Sequence, residues 1–91
     1  MFSGTAKFAH TEGYDLEEMG EELVLYHEAS ETIFHCNAAA ALVYRLVDGS
    51  RSVDDVVAMI VEAYPDASSR IREDVASAID ALVVYGAIAE V

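Results

Sequence analysis

Residues 36–56 read CNAAAALVYRLVDGSRSVDDV, and the spacing of caps within them decides the fold. Asn37 is a good N-cap, because its side chain can accept from the orphan amides of the turn that follows. Ala38–Val47 then reads as a helix with strong formers at its start. Asp48-Gly49 ends it, since Gly tolerates the left-handed backbone that closes a helix. Ser52 restarts the pattern, with Asp54 and Asp55 favourably placed in the first turn of a second helix. So few residues between two caps require the two helices to turn sharply against each other.

Upstream, the pattern is extended. Tyr14–Met19 is a weak strand candidate, poor in β-branched residues. Gly20-Glu21 suits a two-residue type II′ turn, and Glu22–His27 is a stronger strand. After the turn Glu28-Ala29-Ser30-Glu31, Thr32–Cys36 is a third strand running straight into the Asn37 cap. Strict alternation places Phe34 and Cys36 toward the helices, with Ile33 and His35 on the open side. Residues 1–13 show no clear period and read as a partly ordered arm, with a short strand near Ala6–Ala9.

Downstream, three helices follow. The first buries Ala41, Leu42 and Leu46, with Val43 and Tyr44 widening the stripe. The second, Val53–Tyr64, has Val53, Val56, Val57, Ile60 and Val61 at helical spacing, and Pro65 stops it. Asp66–Ser69 reads as a loop. The third, about Arg70–Tyr85, buries Ile71, Val75, Ile79 (or Ala78) and Leu82. Gly86 closes it, and Ala87–Val91 runs back as an extended tail. The expected class is α+β: a three-stranded antiparallel sheet, then three α-helices, in one domain of residues 14–91.

The charge narrows the function. Seventeen acidic residues against five basic ones leave a net charge of −12. A nucleic-acid module gathers cations to neutralise phosphates, and this chain has only Lys7, Arg45, Arg51, Arg70 and Arg72 to offer. An anionic membrane surface is disfavoured for the same reason. The lone Cys36 fits a reducing compartment, no signal peptide is visible, and the apolar run Ala81–Ala89 is too short to span a bilayer. The expected place is the cytoplasm.

Catalysis is not expected. His35 and Cys36 are adjacent, so in a strand they point to opposite faces and neither chelate one metal nor form a Cys–His pair. His10 and His27 lack ligand spacing. The reading is of a protein that is not an enzyme, with no metal and no cofactor.

The residues resemble the PqqD family, whose domain is also called the RiPP precursor peptide recognition element. Asn37, Ala40, Ala41, Val43-Tyr44, Leu46, Asp48-Gly49, Ser52-Val53, Asp74-Val75, Leu82 and Gly86-Ala87-Ile88 stand in the family's order over residues 14–91. Each motif alone is weak; their joint spacing is specific. Cys36 stands where the family usually has Leu, and Tyr44 where it often has Trp. The resemblance implies a winged-helix-like fold and a non-enzymatic peptide chaperone. Such a protein holds the leader segment of a ribosomally made precursor as an added strand and presents it to a modifying enzyme. Radical SAM proteins, cyclases and leader peptidases are the partner enzymes it implies. No nucleic acid and no membrane partner follow from it.

Strand addition needs an unpaired edge and a groove for alternate side chains. Thr32, Ile33, Phe34, His35 and Cys36 are expected to supply the ladder, and Arg72, Ala76, Ile79 and Val83 of the third helix the wall. An edge contact of this kind buries less than about 1,200 Å² and binds at roughly micromolar Kd. The apolar run Ala81–Ala89 suits core, partner surface or a homodimer contact. Glu17, Glu18, Glu21 and Glu22 form an acidic hairpin able to attract a basic partner surface. Alternatives are a winged-helix DNA-binding regulator, disfavoured by charge, and a family relative that has lost leader binding and serves as an oligomerising or regulatory subunit. An acyl-carrier protein would need an Asp-Ser-Leu-like site, which is absent from the sequence.

Overall fold

Side-chain and backbone caps set where each helix begins. The computed structural model describes residues 2–91; Met1, the first residue of the expected arm, lies outside them. Asn37 Oδ1 accepts from the Ala40 amide at 2.9 Å and starts α1, Ala38–Leu46. Ser52 Oγ accepts from the Asp55 amide at 3.1 Å, while Asp55 Oδ2 accepts from the Ser52 amide at 2.9 Å. That reciprocal box starts α2, Val53–Ala63.

Between them, the turn differs from expectation in one detail. α1 stops at Leu46, and Val47 is already extended. Asp48 then folds back on the chain, its Oδ1 accepting from the Ser50 and Arg51 amides, both at 2.9 Å. Gly49 does take the left-handed backbone, at φ +86°, but beyond the cap rather than at it.

Three strands precede α1, at the expected residues: β2 Tyr14–Met19, β3 Glu22–His27 and β4 Thr32–Cys36, antiparallel in the order β2-β3-β4. A further strand, β1 Phe8–His10, comes before them. Gly20 has φ +67° while Glu21 does not take positive φ, so the two-residue loop joining Met19 to Glu22 is of the II′ kind. The register sets Leu23 against Cys36 and Leu25 against Phe34. Their shared face meets the helices: Leu23, Leu25 and Cys36 are buried and Phe34 half-buried, while Ile33 and His35 lie on the open side.

The helical core has the expected period in α2, where Val53, Val56, Val57 and Ile60 are buried. α1 differs. Its buried stripe is Ala40, Ala41, Val43 and Tyr44, with Val47 just past the end, whereas Leu42 and Leu46 are only half-buried. The i, i+3, i+4, i+7 spacing of residues 40, 43, 44 and 47 wins because it puts one continuous stripe on the sheet and α3. Pro65–Ala67 forms a 3-10 turn, and α3 begins at Ser68, earlier than the loop reading placed it, and runs to Tyr85. Ile71, Val75, Ala78, Ile79 and Leu82 are buried along it.

Gly86 caps α3 at φ +97°, its amide donating to the Leu82 and Val83 carbonyls. The chain turns back into β5, Ile88–Glu90, which pairs antiparallel with β1. The N-terminal segment also serves α2. The Val53 and Asp54 amides, orphans of its first turn, donate to the Ala6 and Gly4 carbonyls at 2.9 Å each. Phe8 is 1% exposed and belongs to the core. Among the described residues, no helix is long and apolar enough to cross a membrane.

Candidate functional site

β4 is an edge strand. β3 pairs with it on one side, and among the described residues no strand pairs on the other. It therefore carries a row of amides and carbonyls open to an added strand. Ile33 is 68% exposed, and His35 is exposed with its Nε2 2.6 Å from Glu22 Oε1 across β3.

Beside this edge runs a groove of about 240 Å³, lined on the strand side by Phe34 and His35 and on the helix side by Asp74, Ser77, Ala78 and Ala81. These helix positions recur at i, i+3, i+4 and i+7, so they form one flank of α3. Three of the four are small, which keeps the groove open. At the Thr32 end, Tyr85 reaches across from α3. Its hydroxyl is 3.0 Å from the Thr32 carbonyl and its ring lies 4.9 Å from that of Phe34. Tyr14 packs edge-on against Tyr85 and stacks on His27, completing an aromatic plug.

The strand half of the expected site, Thr32, Ile33, Phe34, His35 and Cys36, lies together on this edge. Cys36 contributes only backbone, since its side chain is buried; burial pushes its thiol up to about 11, so it stays protonated at neutral pH. The helix half is not brought to the groove. Arg72, Ala76, Ile79 and Val83 lie about half a turn round α3 from the Asp74–Ala81 flank, at roughly 100° per residue. Arg72 pairs with Asp54 of α2 at 2.9 Å, and Ile79 is 0% exposed, inside the core. Ala76 and Val83 are half-buried on the same far side. The 3.6-residue period marks both flanks equally; only the packing of α3 against α1 and the sheet tells which one faces β4. Asp74, Ser77, Ala78 and Ala81 were therefore missed, and their one local signal was a run of small residues on a single flank.

A three-stranded antiparallel sheet followed by a helical unit, with an open edge strand facing a small-residue helix flank, is a winged-helix-like domain. The chain belongs to the PqqD family: the family described as coenzyme PQQ synthesis protein D matches residues 22–88, well over half of the chain. No curated protein matches it. Among solved structures, TbiB1 in complex with the TbiA(beta) leader peptide matches with a TM-score of 0.73 at 18% identity, over 88% of this chain and 93% of that one. At that identity the likeness establishes the shared fold.

Proposed function

We propose that this protein is a non-enzymatic peptide-binding chaperone that takes the leader segment of a ribosomally made precursor as a fourth strand against β4. The observation that carries the reading is the unpaired edge of β4 set beside the groove that Asp74, Ser77, Ala78 and Ala81 keep open. Backbone hydrogen bonds along the edge supply affinity, and alternate side chains of the guest drop into the groove and supply selectivity. Family membership and a fold shared with a protein seen bound to a leader peptide support it.

Within this reading the bound precursor is presented to a modifying enzyme that docks on the chaperone. The acidic β2–β3 hairpin suits a basic docking surface on that enzyme. The site residues become the backbone of Thr32–Cys36 together with the Asp74–Ala81 flank of α3, in place of Arg72, Ala76, Ile79 and Val83. The segment ahead of residue 14 packs onto the recognition domain of residues 14–91 through β1 and Phe8, so it belongs to the folded unit instead of hanging from it as an arm. Duplex DNA is a poor alternative guest. α3 carries Arg70 and Arg72 beside Glu73, Asp74 and Asp80, and Arg72 is already held by Asp54.

The test is a titration of isotope-labelled protein with the leader peptide of the precursor encoded beside its gene. Amide shifts concentrated on residues 32–37 and on one flank of α3, with roughly micromolar Kd, are expected. Shifts confined to α2 or to the β1–β5 pair would refute the assignment. Ala81→Glu, which fills the groove with a charged side chain, should abolish binding and leave the unfolding transition cooperative.

A further inference from the structure

The β4–α3 groove does not end at the strand. A second, larger cleft of about 520 Å³ opens between α1, the end of α2, the start of α3 and the tip of the β2–β3 hairpin. Its size falls in the range of small-ligand sites, about 300–1,000 Å³, and so leaves ample room for one large side chain. Leu42, Val43, Ile60, Tyr64, Ile71 and Val75 make it mainly apolar. Tyr64 lines the cleft and leaves 55% of its surface exposed.

Two observations connect this cleft to the edge strand. Ala39 and Asp74 line both cavities, so the two form one trough that passes the N-terminus of α1. The groove is also one-sided in its opening. Its strand wall is Phe34 and His35, with Asn37 beyond them, because Tyr85 sits over the Thr32 carbonyl at the other end. An extended guest on β4 thus has its open course toward Asn37 and into the cleft.

The charges around the trough are unequal. Arg45 at its hairpin rim is engaged by Glu18 at 3.2 Å and by the Glu21 carbonyl at 3.4 Å. Asp74, at the junction, has neither an ion pair nor a side-chain hydrogen bond among the described residues. In a chain of net charge −12, that free carboxylate favours a cation on the guest.

We propose that the bound peptide extends beyond its strand-paired segment and seats a large apolar side chain in the α1–α2–α3 cleft, with a neighbouring Lys or Arg facing Asp74. This rests on the peptide-binding reading and adds to it a second anchor and a sequence preference. The strand-paired segment gives register; the cleft gives selectivity, because backbone pairing alone accepts most sequences.

The test uses a phage-displayed library of random dodecapeptides panned on the full chain, with recovered sequences made as fluorescent peptides and titrated by anisotropy. The expected consensus is a basic residue close to Leu, Ile, Phe or Tyr. Tyr64→Ser and Leu42→Asp should each weaken binding by about ten-fold or more, as loss of an apolar anchor does. Asp74→Asn should weaken it and flatten its salt dependence. Leu42 is half-buried, so unfolding curves accompany that variant, and the exposed Tyr64 carries the test if it fails to fold. Binding that Ala81→Glu abolishes but Tyr64→Ser and Asp74→Asn leave unchanged overturns the second anchor while the strand-addition reading stands. Recovery of no peptide, or of peptides indifferent to Ala81→Glu, overturns both. Concentration-dependent dimerisation that Tyr64→Ser removes would make a second copy the occupant and overturn the proposal.

Discussion

Glu31 closes the β3–β4 turn at φ +55°, the one non-glycine residue of the described chain in the left-handed region. An L-residue pays roughly 1–2 kcal/mol for that backbone, and glycine returns about 0.5–1 of it through lost chain entropy. Glu31→Gly should therefore stabilise the domain by about 0.5–1 kcal/mol, read as a raised urea midpoint at unchanged slope. Asp55 is a second residue with a measurable signature. The Ser52 backbone amide, then the Ser52 side chain, hold its carboxyl below the ordinary carboxylate range. Its folded pKa is depressed, so the box stabilises α2 fully above the unfolded value of about 3.9. That contribution fades as pH falls below this value and through the folded pKa. In Asp55→Ala, stability measured between pH 5 and 2 should lose that component of its acid slope; an unchanged slope would mean the box is not formed in solution.

Among the elements, the β1–β5 pair shows how much a short segment can carry. Three residues on each strand pair Phe8 with Glu90 and His10 with Ile88. The same arm caps α2 through the Gly4 and Ala6 carbonyls and fills the core with Phe8. Phe8→Ala should cost about 3–5 kcal/mol, seen in thermal or urea unfolding, with peptide affinity of the folded fraction unchanged because Phe8 belongs to the β1–β5 pair and lines neither the groove nor the cleft. Little of this was legible in residues 1–13. A three-residue strand has too few positions for a period, and its partner lies about eighty residues away. β2, β3 and β4 were legible to the residue because turn chemistry bounds them: Gly20-Glu21 at one end and the Asn37 cap at the other. In α1 the signal was ambiguous, since AAAALVY is apolar on every side and several stripes fit it.

At the scale of the whole molecule, the candidate site is an arrangement of two elements distant in sequence, β4 and α3, held apart by the α1–α2 turn. Half of that site could be read from the chain. The edge strand follows from local alternation and from its position before a helix cap, and both are properties of neighbouring residues. The helix wall could not be read. Positions 72, 76, 79 and 83 and positions 74, 77, 78 and 81 satisfy the same 3.6-residue period. What distinguishes them is the rotation of α3 about its own axis, set by Ile71, Val75, Ile79 and Leu82 packing into the core and by Arg72 reaching Asp54. By itself, then, the sequence determined the order of elements, their caps and the family, because these depend on residues within a turn or two of one another. Only the tertiary structure decided which flank of α3 faces β4, that Tyr85 closes one end of the groove, and that the other end opens into an apolar cleft. Those outcomes depend on burial across the whole chain, and no local spacing encodes them.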